Sequence, residues 1–327
     1  MPDAADTPAD TSYQAQFGRR WPQLVRPHVR ALAWLLDSPN LLDPQAPQWQ
    51  SRIATLAPDP GAAQWLEELD RDPSALDAAL GSKFYSRLGL YAEKLMAFYF
   101  AQRGQLAAHG LQVRAARNDT VGEFDFLLRV PGGLHHIEFA CKFYLLDGDT
   151  LPDRLIGPNL ADTLGLKMRK ILDHQLALAQ HPAAQALLAE PVVGAQALVK
   201  GWLFYPRGPV PAIDGISPGH CAGCWRTLSD FAQEEGERFI VLPRLLWLAP
   251  LKQRADAEAP QAAPAPLRRD ALHALLAEKF LTDPSPVLAA EIREENGWLV
   301  EVSRGFIVPD DWRHKAAGRR ASGALPG

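Results

Sequence analysis

The sequence predicts an α/β protein, and three stretches carry that prediction. Residues 121–130 form an apolar, β-prone run interrupted only by Gly122, Glu123, Asp125 and Arg129. Pro131-Gly132-Gly133 supplies turn chemistry, because glycine reaches positive φ without penalty, and residues 137–144 make a second β-prone run. Helical patterning flanks this hairpin. Upstream, at 88–103, Leu90, Leu95, Met96, Phe98 and Tyr99 give a broad apolar face that Gly104 can end. Downstream, residues 161–179 read as a helix carrying Lys167, Arg169, Lys170, His174 and Gln175.

Composition narrows the classes of function. A chain of 327 residues can bury a full core, as one large domain or two unequal ones. Hydrophobic content of 47% and charge of 22% are ordinary for a globular protein. No apolar run approaches the roughly 20 residues that span a membrane, and the acidic, polar start is unlike a signal peptide, so the expected location is the cytoplasm. Three cysteines argue against a disulfide framework. The net charge of −4 excludes an overall basic coat, so a polyanion must be held by a local patch.

In chain order, residues 1–14 read as a disordered tail and 21–42 as an amphipathic helix stopped by Ser38-Pro39-Asn40. A Pro-rich stretch (43–60) and a polar helix near 65–69 lead to the helix at 88–103. Residues 111–116 are a candidate strand, and Arg117-Asn118-Asp119 a turn before the hairpin. Beyond 179, strands are expected at 199–205 and 239–241, with a short apolar run at 245–248. Residues 253–266 form an Ala/Pro linker between a core of 15–252 and a C-terminal unit of 267–313. That unit holds a helix (269–280) and a hairpin (298–308) turning near Arg304-Gly305, followed by a tail, 314–327.

The central hairpin carries the chemistry. Glu138 and Lys142 are the only charges in its second strand, and acids or lysines inside apolar strands are costly to bury uncompensated. One reading is a solvated edge hairpin; the sharper one is a metal and phosphate site at the end of a sheet. Glu93, on the helix at 88–103, sits either at the rim of the apolar face or in that site. The charged face with Lys167, Arg169 and Lys170 is either merely solvated or a nucleic-acid contact. Cys221-Ala222-Gly223-Cys224, beside His220, has the spacing of a zinc knuckle, but no second such pair exists, so no zinc is expected. Cys141 alternates with Lys142 and falls on the opposite sheet face, as a small core residue. His135 and His136 likewise point to opposite faces, so at most one joins a cluster. No phosphate-cradling or dinucleotide glycine motif occurs.

Taken together, Gly89-x-x-x-Glu93 on a helix, Gly122-Glu123-Phe124-Asp125 on a strand, and Glu138 through Lys142 on the next strand resemble the PD-(D/E)XK nuclease superfamily. Over residues 20–312 the chain also resembles a bacterial family, domain of unknown function 1853. That likeness rests on Arg30-Ala31-Leu32-Ala33-Trp34, Lys142-Phe143-Tyr144-Leu145, Gly157-Pro158-Asn159, His174-Gln175-Leu176, Gly201-Trp202-Leu203-Phe204-Tyr205, Trp247-Leu248-Ala249-Pro250 and Arg304-Gly305-Phe306. The resemblance implies a nuclease-like core, a mixed sheet between helices with added N- and C-terminal segments. It also implies metal-dependent hydrolysis of DNA or RNA phosphodiesters, with Mg²⁺ or Mn²⁺ as the ion. Asp125 and Glu138, with Glu93, would ligate the ion, and Lys142 would hold the attacking water or the phosphorane. Glu123, His174 and Gln175 would support them. One departure stands out. The usual motif places its acid two residues before the lysine, and that position is Ala140, whereas Glu138 lies four before. A displaced acid can still reach the ion; alternatively, the fold binds nucleic acid or another partner in the same cleft without catalysis.

Overall fold

A computed structural model describes residues 10–81, 85, 87–116, 119–233, 236–257 and 263–321. Helices α1 (Tyr13–Arg20), α2 (Pro27–Asp37), α3 (Ala62–Arg71), α4 (Ser74–Leu80) and α5 (Leu88–Gln102) precede the sheet. Strands β1 (Leu106–Ala116), β2 (Asp119–Val130) and β3 (Gly133–Leu146) follow as an antiparallel meander. Next come β4 (Leu155–Ile156), α6 (Leu164–Asp173), α7 (Pro182–Gln185), β5 (Val192–Tyr205), β6 (Cys221–Thr227) and α8 (Leu228–Phe231). The chain then passes through β7 (Arg238–Val241), β8 (Lys252–Arg254), β9 (Leu267–Arg268), α9 (Arg269–Thr282), β10 (Val287–Glu295), β11 (Trp298–Val308) and α10 (Trp312–Ala321).

The strands join one large mixed sheet, ordered β1-β2-β3-β5-β6-β11-β10-β7-β9, with β4 on β3 and β8 on β11. Strand β5 runs parallel to both β3 and β6, and β6 parallel to β11. Alternation along β3 splits the core into two layers. Ile137, Phe139 and Phe143 pack with Phe126 against Tyr91, Leu95, Met96 and Phe100 of α5. Ala140 and Tyr144 face the other way, with Ala197, Val199 and Leu203 of β5 against Leu164, Met168 and Ile171 of α6. Each of these large side chains, fully buried, contributes about 1.5–3 kcal/mol. Helix α5 is apolar nearly all round because α2 covers it from outside. The β2–β3 turn needs its glycine: Gly133 has φ 148°, and a Cβ there would collide with the Pro191 carbonyl oxygen.

Several elements differ from the sequence reading. The helix expected across 161–179 breaks at His174 and continues as a 3-10 turn, Gln175–Gln180. The C-terminal hairpin turns at Asn296-Gly297 (φ 52° and 78°), not at Arg304-Gly305, which lies inside β11. Strand β6 has no counterpart among the expected strands. From 312 the chain is helical where a tail is expected: Trp312 donates its indole N–H to the Pro158 carbonyl at 2.8 Å, and Arg320 pairs with Asp147 at 2.8 Å. At the other end Ser12 caps α1, while residues 1–9 of the expected tail lie outside the described residues. So do residues 258–262 of the expected linker, Arg117 and Asn118 of the expected turn, and 322–327 of the C-terminal tail. No helix among the described residues is long and apolar enough to cross a membrane.

Candidate functional site

The β2–β3 ladder runs from Val130↔Gly133 to Phe126↔Ile137 and stops there. The next step of that register would set Asp125 opposite Glu138. Instead the Asp125 carboxylate accepts the Phe139 backbone N–H at 2.9 Å, so a side chain replaces the strand partner where the ladder ends. Glu93 on α5 and Glu123 and Asp125 on β2 converge here, each offering a carboxylate oxygen within 4.8 Å of the others. His109 of β1, stacked on Phe126, lies 2.6 Å from Glu93 and fixes its carboxylate.

Glu138 reaches the same place from β3 and is 2% exposed. One oxygen accepts the Gln175 amide N–H, a contact made possible by the break at His174. Its other oxygen has no hydrogen-bond partner among the described residues. His136 Nε2 lies 3.8 Å from it, and His136, itself 0% exposed, has both ring nitrogens unpartnered among the described residues. Lys167 Nζ donates to Gln175 Oε1 at 3.3 Å, so α6 is linked to Glu138 through that glutamine.

Burial and mutual repulsion set the charges. Asp125 is pushed up to about 6, first by desolvation and then by Glu93 and Glu123, against the opposing Phe139 hydrogen bond and Lys167. Glu138 rises to about 8, again first by desolvation and then by the Asp125 charge. Burial drops His136 to about 4 and keeps it neutral. Lys167 is lowered by desolvation, opposed by its attraction to Glu138 and Asp125. Four carboxylates thus crowd a site where the Lys167 charge acts on both Asp125 and Glu138. Such an excess of oxygen donors suits a hard divalent ion.

The remaining expected residues make no hydrogen bond to the carboxylates of the cluster, although the Lys142 charge acts on Lys167. Lys142 shares the face of Glu138 but is four residues along β3, roughly 13 Å of rise. Its Nζ pairs with Asp162 at 3.0 Å, and Tyr144 donates to the same Asp162 oxygen at 3.0 Å. Arg169 is exposed and paired with Asp153, Lys170 is exposed, and His174 is exposed at the helix break. Cys221 and Cys224, three apart on β6, turn to opposite faces and cannot share an ion. His220 is engaged by Tyr205 and the Ser217 carbonyl. A cavity of about 570 Å³ lined by Arg26, His28, Lys252 and Trp298 shares no residue with the carboxylates.

His109 and Asp162 escape the sequence reading, and nothing local marks His109; of the His135-His136 pair, His136 is the one placed beside Glu138. The register signal is present in the sequence, however, since a turn at Pro131-Gly132 already aligns 125 with 138.

The model of a protein family described as Domain of unknown function (DUF1853) matches residues 30–308. The chain belongs to that family. Comparison with curated proteins and with solved structures gives no match. The DUF1853 span takes in every carboxylate of the cluster and leaves out α1 and α10.

Proposed function

We propose that this DUF1853 protein is a metal-dependent phosphodiesterase acting on DNA or RNA, with the carboxylate cluster as its Mg²⁺ or Mn²⁺ site. The observation that carries the reading is the buried Glu138 oxygen without a partner, beside three carboxylates within 4.8 Å of one another. An orphaned buried carboxylate oxygen is costly, and a cation would satisfy it. The donor set, all oxygen, fits a hard ion rather than zinc. The order α5-β1-β2-β3-α6-β5, with β5 parallel to β3, supports a PD-(D/E)XK-like core.

Glu93, Glu123 and Asp125, whose oxygens lie within 4.8 Å of one another, would hold the ion, with the Glu138 carboxylate turning toward it from β3. A bound ion supplies Lewis acidity and a water of lowered pKa. His109 keeps Glu93 oriented, and Gln175 keeps Glu138 aimed inward. With the net charge at −4, phosphate binding falls to the local lysines of α6, Lys167 and Lys170, with Arg169 beside them. A second reading, a cleft that binds nucleic acid without cleaving it, is favoured by the engagement of Lys142 with Asp162.

Calorimetric titration with Mg²⁺ and Mn²⁺, followed by cleavage assays on single- and double-stranded DNA and RNA, separates the two. Ion binding with cleavage, both lost in Asp125→Ala, is the expected result. Steeply salt-dependent binding of nucleic acid without cleavage in either ion would leave the second reading. Neither binding nor cleavage would remove both.

A further inference from the structure

We propose that Lys167 of α6, and not Lys142 of β3, is the catalytic cation that contacts the scissile phosphate; this rests on the phosphodiesterase reading above. Three observations converge on it. Lys142 is committed elsewhere: its ammonium lies 3.0 Å from Asp162, whose same oxygen also takes the Tyr144 hydroxyl at 3.0 Å. Lys167 is half-buried and tied by Gln175 to Glu138, whose carboxyl interacts with Asp125 of the cluster. Ala140, two residues past Glu138 on the same strand face, brings no charge, and it belongs to the same buried apolar layer as Met168 and Leu164 of α6. The helix that shares a layer with the uncharged position is therefore the one that delivers an ammonium beside the carboxylates.

In the hydrolysis itself, a water oxygen forms a bond to phosphorus and the bond to the leaving ester oxygen breaks. Of the two water protons, one remains on the new phosphate oxygen and the other leaves to solvent, while the ester oxygen departs with the bonding pair and takes a proton from solvent. Lys167 stays protonated throughout. Its part is to donate to a non-bridging phosphate oxygen whose charge grows as the phosphorane forms. A compact, rotatable ammonium on a flexible stem suits that role.

The test compares wild type, Lys167→Met, Lys167→Arg and Lys142→Ala in two measurements. In cleavage of labelled oligonucleotides, Lys167→Met is expected to lose about 100-fold or more, the scale for deleting one preorganised donor. Lys167→Arg recovers part of that loss, and Lys142→Ala stays within about threefold of wild type. In Mn²⁺ titration without substrate, removing the ammonium beside the carboxylates tightens binding about tenfold in Lys167→Met, through lost like-charge repulsion. Lys142→Ala leaves Mn²⁺ affinity unchanged. Methionine keeps the apolar stem, so retained Mn²⁺ binding also certifies the fold. Active wild type with an indifferent Lys167→Met, or with Lys142→Ala as the inactive variant, overturns the assignment and leaves the phosphodiesterase reading standing. Weaker Mn²⁺ binding in Lys167→Met overturns it too. Wild type that binds Mn²⁺ but cleaves no substrate overturns the phosphodiesterase reading, and Lys167's role with it.

Discussion

Replacing Glu138 with glutamine should stabilise the metal-free protein while weakening the proposed ion site. Glu138 is 2% exposed, and burial with the Asp125 charge lifts its carboxyl from 4.5 to about 8. The folded state therefore holds a proton at pH 7 that the unfolded chain has released. Keeping it costs about 3 kcal/mol. A glutamine side chain avoids that cost and can still accept the Gln175 N–H, while its own amide N–H turns toward neutral His136. Allowing for imperfect geometry, the gain is about 2–3 kcal/mol, or about 4 °C in Tm for a chain of this size. The pH dependence has a definite sign. A carboxyl raised on folding contributes stability in full below 4.5 and loses it as pH rises through about 8. The advantage of Glu138→Gln should accordingly be absent near pH 4, grow through neutrality and level off above pH 8. Thermal unfolding by circular dichroism in chelator, from about pH 4 to 9, measures it. Repeating the scan with Mn²⁺ should raise the Tm of wild type more than that of the variant. A variant no more stable than wild type at pH 8 would refute the claim that this carboxylate is strained in the absence of an ion.

Three further outcomes follow from single contacts. His109→Ala releases Glu93 and should weaken Mn²⁺ affinity about tenfold in calorimetry without unfolding the protein, the size typical of a ligand-orienting residue. Lys200 is 2% exposed, donates to the Ser38 carbonyl oxygen, and is lowered by burial to about 8, so its charge costs stability below that pH. Lys200→Met should thus stabilise by about 2 kcal/mol at pH 7 in denaturant unfolding, with the gain shrinking as pH approaches 10. Ala140→Glu would place an acid two residues before Lys142, but Ala140 is buried in the apolar layer it shares with α6. It should cost about 2–4 kcal/mol and give no gain in cleavage, as urea unfolding and the nuclease assay would show.

The elements legible in the sequence are those whose period is set locally. Helix α5 and the β2–β3 hairpin follow directly from apolar spacing and a Pro-Gly-Gly turn. The turn of the β10–β11 hairpin is misplaced because Arg304-Gly305 looks like a turn in isolation. Gly305 instead serves close packing, since a Cβ there would lie 2.7 Å from the Cys224 sulfur. Arg304 is buried over Trp202, paired with Glu301 and with carbonyls of residues 247–249, and those carbonyls are far away in sequence. No local rule foretells a buried arginine held that way. Asn296-Gly297 is the stronger hairpin signal, and it is where the chain turns.

The same distinction between local and distant partners governs the site. The acids can be found because a carboxylate in an apolar strand is anomalous by itself, whichever way it faces. The lysine cannot, because its role depends on which carboxylate is near, and Asp162 lies in a loop 20 residues beyond Lys142. Strand register does the rest. With Val130 against Gly133, Asp125 falls level with Glu138, so Glu138 is the acid that meets Asp125, and no acid is missing. Under the PD-(D/E)XK-like reading proposed above, the position two residues further, Ala140, would be an absent lysine rather than an absent carboxylate. The proposal then takes its lysine from α6, where Lys167 is linked through Gln175 to Glu138.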